Sequence, residues 1–268
     1  DEFGREPTGG ISGCWASYGS GDVVPASWWL NSFIKGHKIP LTHCGDVIAL
    51  INGDFFSTAL ALEAAVLFAD FIGSTLSVIS AQTRRQRMDA GWEPDARAVW
   101  DTFDVMPAGA GTPQLPVSLR DAEPIARALL NSVVRLRHAI DARLASPSAN
   151  PRFILTNGEA TPISQSSFLD FGLTFALTEA RQSCLLSMGV LQRIAHHATE
   201  KLQKDSIDPQ QGLVQPPKIL SAYLAEAQMT ATLPSHFIGD ESEGIEDLRD
   251  LSLLAARGLA FTLSNHAM

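Results

Sequence analysis

The residues best suited to chemistry lie near the start of the sequence, in the stretch GSGDVVP from Gly19 to Pro25. Ser20 stands between two glycines, and Asp22 follows the second of them, Gly21. Glycines on both sides permit a strained, sterically open turn that other residues rarely adopt. Serine and aspartate are also common N-cap residues, so this stretch is equally typical of an ordinary helix start. The residues alone leave both interpretations open.

Other polar residues in predicted loops are candidates for binding. The planar guanidinium of Arg120 suits a carboxylate, which it can hold in a bidentate fork. It also has acidic neighbours with which it could form a surface ion pair of little energetic value. Asn52 precedes a glycine, as in many turns. Glu246 falls in the first turn of a predicted helix, where an acidic residue favours the helix dipole without any catalytic role.

No metal site is predicted. His196 and His197 are adjacent and therefore point in different directions on one helix. Glu200 lies four residues after the first of them, but one such pair falls short of a ligand set.

Composition restricts the class of protein. A net charge of −9, with no basic run beyond RRQR at 84–87, argues against a nucleic-acid partner or a polybasic membrane surface. Cys14, Cys44 and Cys184 form no CxxC pair, which is typical of reduced thiols in the cytoplasm. The first residues are acidic and polar, unlike a signal peptide.

Periodic apolar residues predict an all-α fold of long antiparallel helices in a single domain, 1–268. The apolar helix at 55–83 is long enough to cross a membrane, but Glu63 and Asp70 favour burial within a bundle. The stretch FILTNGEATP is expected to be an irregular connection, and no strand pattern competes with the helices. The longest helix is expected to start after a Ser164 cap. The predicted helices are 55–83, 121–144, 164–204, 214–229 and 245–263.

The glycine-rich stretch resembles the Ala-Ser-Gly-Asp-x-x-Pro loop of the histidine and phenylalanine ammonia-lyase family. The resemblance implies an electrophile loop at about 17–29 and the family's helix bundle. It also implies that Gly19, Ser20 and Gly21 cyclise, through attack of the Gly21 nitrogen on the Gly19 carbonyl carbon, into a methylidene-imidazolone. No external cofactor is then needed.

Four further segments resemble the family's in the same order along the chain. LINGDFFSTALALE places Asn52 on the asparagine that faces the electrophile, and LPVSLRDAEP places Arg120 on the arginine that binds the substrate carboxylate. ANPRFILTNGEATPI places Asn157 on a second substrate-binding asparagine, and ESEGIEDLRD places Glu246 on a glutamate typical of histidine-specific members. By the same resemblance, Asp22 and Asn52 hold the electrophile and polarise its carbonyl.

Several positions depart from the family. Val117 stands where the family has tyrosine, Gly158 where it has phenylalanine, Ile245 where it has glutamine, and Gly19 where it has alanine. The chain is shorter than typical members and lacks the loop that carries their tyrosine base, so no residue is assigned as the base.

The resemblance implies an amino-acid ammonia-lyase that eliminates ammonia from an aromatic or imidazole L-amino acid, working as a cytoplasmic homotetramer. Two alternatives stay open: a 2,3-aminomutase, and a degenerate lyase-fold protein that serves as a non-catalytic structural or binding subunit. The departures favour the scaffold, whereas Ser20, Asn52, Arg120 and Asn157 favour retained chemistry.

Overall fold

Helices dominate the computed structural model, which describes residues 21–38, 40, 47, 51–83, 117–120, 122–205, 215–231, 237–241 and 246–266. Two short antiparallel hairpins interrupt them. The helices are α1 (Val23–His37), α2 (Phe55–Thr83), α3 (Val117–Arg120), α4 (Ala122–Leu144), α5 (Phe171–Asp205), α6 (Gln215–Thr230) and α7 (Ser252–His266). The strands are β1 (Arg152–Thr156), β2 (Glu159–Ile163), β3 (Ile238–Glu241) and β4 (Glu246–Leu248). The prediction of an all-α protein with long helices is confirmed in its main feature.

The chain divides into two compact units. Unit 1 comprises Asp1–Glu63, Ala139–Leu177 and Leu233–Arg257. It contains α1, the first turns of α2, both hairpins and most of the predicted site residues. Unit 2 comprises Ala64–His138, Thr178–Thr232 and Gly258–Met268, and it is built from the remaining helical segments.

Helix α2 buries one face. Its fully buried apolar residues follow a spacing of three or four, as expected for a helix that presents one stripe to a core. They are Ala61, Ala64, Phe68, Ile72, Leu76 and Ile79. Glu63 and Asp70 are exposed on the other side. Within the described part of the chain, the segment Phe55–Ser80 of α2 is the one stretch long and apolar enough to span a membrane, and a helix of a soluble core meets the same criterion.

The prediction of a loop at about 17–29 is wrong in its second part, because the residues from Val23 onward belong to α1. Two predicted helix starts are also wrong. Helix α5 begins at Phe171 rather than near Ser164, because Asp170 caps it by accepting a hydrogen bond from the Leu173 N–H at 2.8 Å. Helix α7 begins at Ser252 rather than at 245, because Asp250 binds its first free N–H at 3.2 Å. The residues before that point pair as β4 with β3.

The connection predicted to be irregular is a β-hairpin. Strand β1 pairs antiparallel with β2, with Thr156 opposite Glu159. Asn157 and Gly158 form the turn, with φ of 54° and 85°, the positive values that a tight two-residue hairpin turn requires. Every residue of both strands is exposed, so no apolar and polar alternation reveals the strands.

Candidate functional site

The turn at Gly21 and Asp22 is pressed against the segment before α2. The Asp22 N–H donates a 2.6 Å hydrogen bond to the carbonyl oxygen of Gly53. Gly21 has φ of +83°, and a Cβ added there would lie 3.2 Å from that same oxygen. A side chain at this position would therefore combine an unfavourable backbone conformation with a close contact. The turn needs glycine, as cyclisation of this stretch also requires.

The side chain of Asp22 leaves its own helix and caps another. It forms no cap hydrogen bond to α1. Its carboxylate is 2% exposed and accepts hydrogen bonds from the Ser57 backbone N–H at 2.7 Å and from the Ser57 hydroxyl at 2.6 Å. Asp22 thus satisfies the free N–H groups at the start of α2 from outside that helix. The interpretation of Asp22 as a plain N-cap of the helix that follows it is wrong.

Asn52 and Gly53 form the other wall of this turn. The Asn52 side-chain oxygen lies 3.8 Å from the position that a Cβ on Gly21 would take. The Asn52 carbonyl oxygen accepts a 2.9 Å hydrogen bond from the backbone N–H of Asn150, which fixes the segment from behind. The structure therefore brings three predicted site residues together: Gly21, Asp22 and Asn52.

A buried ion pair supports this wall. Arg143, near the end of α4, places its Nε 2.6 Å from the Asp54 carboxylate, and both side chains are at most 5% exposed. Arg143 also donates a 2.6 Å hydrogen bond to the carbonyl oxygen of Ser167. The next residue, Phe168, has its Cδ2 3.7 Å from the Cβ position of Gly21.

Sequence reasoning missed Asp54, Arg143 and Phe168. Asp54 precedes a helix, which is a visible signal of an N-cap position. Arg143 carries no such signal, because an arginine in the last turn of a helix is ordinarily a solvated residue that favours the helix dipole. Phe168 falls within the predicted helix 164–204, whereas α5 begins only after it.

Burial shifts the acid-base behaviour of the carboxylates in unit 1. It raises the pKa of Asp22 from 3.8 to about 6, against the opposing effect of the hydrogen bonds from Ser57. Burial likewise raises the pKa of Asp54 to about 7, although the positive charge of Arg143 lowers it. Burial also raises the pKa of Asp250, whose negative charge disfavours ionisation of both Asp22 and Asp54. Asp22 and Asp54 therefore change their charge closer to neutral pH than an ordinary aspartate does.

The remaining predicted site residues are placed differently. Gly19 and Ser20 lie outside the described residues, as do the side chains of Arg120 and Glu246. The backbone of Arg120 ends α3, and Glu246 begins β4 rather than a helix. Asn157 lies at the exposed tip of the first hairpin. The binding roles of Arg120, Asn157 and Glu246 stay predictions.

The described residues offer no cluster of three or more His, Cys, Asp or Glu side chains that could hold a metal ion. Of the three residues predicted to form the electrophile, the structure describes Gly21, and its geometry fits that prediction. Gly21 has the positive φ of a glycine-requiring turn, and the amide of the next residue, Asp22, is fixed by its hydrogen bond to Gly53. A hydrogen-bonded wall of Asn52 and Gly53 stands beside it.

Comparison with known proteins identifies the fold. Three solved structures are similar: tyrosine aminomutase from Streptomyces globisporus, histidine ammonia-lyase from Trypanosoma cruzi and phenylalanine ammonia-lyase from the yeast Rhodosporidium toruloides. The TM-score is 0.66 for each, with sequence identities of 16%, 16% and 14%. The alignments cover 91%, 88% and 96% of this chain. They cover 54%, 48% and 47% of the matched chains, in the same order. No protein-family model and no curated protein matches the sequence.

The chain therefore has the helical fold of ammonia-lyases and aminomutases, as the sequence predicted, and it spans about half the length of the structures it matches. At this level of identity the likeness defines the fold, while the activity rests on the residues of the site.

Proposed function

We propose that the chain is the electrophile-bearing part of an amino-acid ammonia-lyase, acting on an aromatic or imidazole L-amino acid. The observation that carries the proposal is the turn at Gly21 and Asp22. Its positive φ, which requires glycine, its hydrogen bond to Gly53 and the buried contact of Asp22 with Ser57 define a tightly held loop. A glycine held in this way lets the backbone adopt the close approach that cyclisation needs.

The methylidene-imidazolone from Gly19, Ser20 and Gly21 would supply an electrophile for the amine of the substrate. The chain's own residues would hold and orient it. Asp22 anchors the turn to α2. By the family resemblance, the Asn52 side chain would polarise a carbonyl group of the electrophile by donating its amide N–H, as a preorganised dipole does.

Substrate binding is assigned by the family resemblance. Arg120 and Asn157 would orient the substrate carboxylate, and Glu246 would contact its ring, which favours an imidazole or another polar ring. The likeness to aminomutases makes 2,3-aminomutase chemistry the second form of the proposal. Both reactions begin from the same electrophile.

We also propose a homotetramer, working in the cytoplasm, that neither binds nucleic acid nor inserts into a membrane. Support for an assembly comes from large apolar side chains that are exposed on several helices, including Leu62, Val66, Phe175, Leu254 and Phe261. Surfaces that other subunits cover are typically rich in exposed apolar side chains. Light scattering tests this directly, and a clean monomer would overturn it.

The first experiment compares the intact mass and near-ultraviolet spectrum of the wild type with those of Ser20→Ala. A loss of two waters, with an absorbance band that the variant lacks, establishes the electrophile. Ser27→Ala is the matched control, because the Ser27 hydroxyl only bonds back to the Val23 carbonyl within α1. Assay of aromatic and imidazole amino acids by NMR then separates an unsaturated acid from a β-amino acid.

An alternative function is a non-catalytic scaffold with the same fold. The side chain of Val117, where the family has a tyrosine, is 62% exposed. An unmodified mass in the wild type would favour this alternative over the enzyme.

A further inference from the structure

Arg143 occupies a position from which it contacts both segments that enclose Gly21. Its Nε lies 2.6 Å from the carboxylate of Asp54, which directly follows the wall of Asn52 and Gly53. Its Nη1 donates a 2.6 Å hydrogen bond to the carbonyl oxygen of Ser167, the residue before Phe168. One guanidinium therefore joins the two segments that contact Gly21.

The same two segments make close contacts around Gly21. The Gly53 carbonyl oxygen accepts a 2.6 Å hydrogen bond from the Asp22 N–H. In the other segment, the Phe168 ring lies 3.7 Å from the position that a Cβ on Gly21 would take. A glycine with this freedom would explore many conformations if its neighbours moved apart. Its geometry is set by how firmly these neighbours are held.

A second set of hydrogen bonds holds the Ser167 side of the enclosure. The Gln165 side-chain oxygen accepts the Ser167 N–H at 2.6 Å, and the Gln165 N–H donates to the Asn150 side-chain oxygen at 3.0 Å. Asn150 in turn donates its N–H to the Asn52 carbonyl. The contacts therefore connect the Asn52–Asp54 segment to Arg143, Arg143 to the Gln165–Ser167 segment, and that segment through Asn150 back to Asn52. Among the described residues, the buried Arg143–Asp54 pair is the one ionic contact in this series.

Resting on the proposed function, we infer that Arg143, through its ion pair with Asp54 and its hydrogen bond to Ser167, is the positioning residue for autocatalytic cyclisation of Gly19-Ser20-Gly21. Arg143 acts through other residues. It holds the two segments that contact Gly21, whose nitrogen is one of the two backbone groups that must meet.

The reaction that Arg143 would assist is balanced within the chain. The Gly21 nitrogen forms a bond to the Gly19 carbonyl carbon, and the Gly19 oxygen leaves as water with the two amide hydrogens of Ser20 and Gly21. The Ser20 Cβ–Oγ bond then breaks, and the hydroxyl leaves as a second water with the Ser20 Cα hydrogen. No oxidant or co-reactant is needed.

The test follows cyclisation rather than activity. Full-length chains are made by cell-free synthesis, and the fraction lacking two waters is measured by intact mass over several hours. For Arg143→Lys, which keeps the charge but loses the forked geometry, we expect cyclisation at least about tenfold slower, since a misplacement of about 1 Å can cost about 100-fold in rate. Arg135→Met is the control, because Arg135 forms an exposed ion pair with Glu179.

A fold defect is separated from a positioning defect by a second variant. Breaking a buried ion pair on one side is strongly destabilising, whereas replacing both partners by well-packed hydrophobic residues of similar volume is often tolerated. The double variant Asp54→Leu/Arg143→Met should therefore fold, as judged by near-ultraviolet circular dichroism, and still cyclise slowly. Wild-type cyclisation rates in a folded double variant overturn the positioning role while leaving the proposed function intact. No loss of water in the wild type overturns both.

Discussion

The carboxylate of Asp22 accepts hydrogen bonds from both the backbone N–H and the hydroxyl of Ser57, at 2.7 and 2.6 Å, across 35 residues of sequence. This contact attaches the glycine-rich turn to the N-terminus of α2. Asp22 therefore caps α2, which is distant in sequence, instead of the adjacent α1, so that a substitution of Asp22 or Ser57 affects both the turn and α2.

Ser57→Ala should lower the free energy of unfolding by about 1.5–3 kcal/mol at pH 8, the range for a hydrogen bond to a charged group. Urea denaturation measures it. Ser77→Ala is the matched control on the same helix, because the Ser77 hydroxyl is exposed and only bonds back to the Gly73 carbonyl. The control should change stability by less than about 0.5 kcal/mol. Equal effects of the two substitutions would contradict a special role for the Ser57 hydroxyl.

Asp22→Asn should change how stability depends on pH. The folded wild type holds the Asp22 proton up to a pKa of about 6, above the ordinary 3.8. The stability that this bound proton gives to the folded state is therefore complete below about pH 4 and is lost as the pH rises through 6. The variant lacks that loss, so its stability relative to the wild type should rise by up to ~3 kcal/mol between pH 4 and 7.

Urea titrations at several pH values measure this difference. Asp54 also titrates in both proteins, and its pKa is less raised in the variant because the negative charge of Asp22 is gone, which adds to the same rise in relative stability. Asp70→Asn, an exposed carboxylate on α2, is the control for the loss of one acidic group. A difference between wild type and Asp22→Asn that does not change with pH would contradict the buried, proton-holding state of Asp22.

The regular helices were predictable because local rules decide them. Periodic apolar residues gave 55–83 and 121–144 almost to the residue. The start of α5 was not predictable, because Ser164 and Asp170 are both good N-cap residues. The structure shows that Asp170 is the cap, through its hydrogen bond from the Leu173 N–H. The first hairpin carried an Asn-Gly signal, which its all-exposed strands obscured.

The site was predictable only in part. The order of motifs placed Gly21, Asp22 and Asn52 together, which the structure supports by the contacts around Gly21. It gave no indication of Arg143, because its partner Asp54 is distant in sequence and a charged residue at a helix end is expected to face water. Buried ion pairs between distant segments are tertiary features, and single-sequence patterns do not encode them.

Gly21→Ala should destabilise the protein by about 1–2 kcal/mol, the cost of placing an L-residue at this positive φ. The added Cβ would also crowd the Gly53 carbonyl oxygen at 3.2 Å. Gly36→Ala in α1 is the control, since its Cβ would meet nothing within 4 Å and helix propensity favours alanine. Urea denaturation and intact mass are both measured. A variant as stable as the wild type would contradict the requirement for glycine at this turn.

Gly258→Ala should be destabilising although it replaces a glycine within a helix. The new Cβ would lie 2.8 Å from Nη1 and 3.2 Å from Cζ of Arg181, a buried side chain. The Arg181 Nε also donates a 3.2 Å hydrogen bond to the Thr262 hydroxyl, so the guanidinium cannot withdraw without losing that contact. The expected cost is about 1–3 kcal/mol, as for other overpacked sites.

A pair of comparisons isolates that clash. Gly189→Ala lies inside α5 with no atom within 4 Å of its Cβ, and it should gain about 0.5–1 kcal/mol from helix propensity alone. In an Arg181→Met background the guanidinium is gone, so Gly258→Ala should become neutral or stabilising. Because residues in contact are not additive, urea denaturation of the two single variants and the double variant gives the coupling energy directly. A coupling near zero would mean that Arg181 moves aside freely, and Gly258 would then be an ordinary helix glycine.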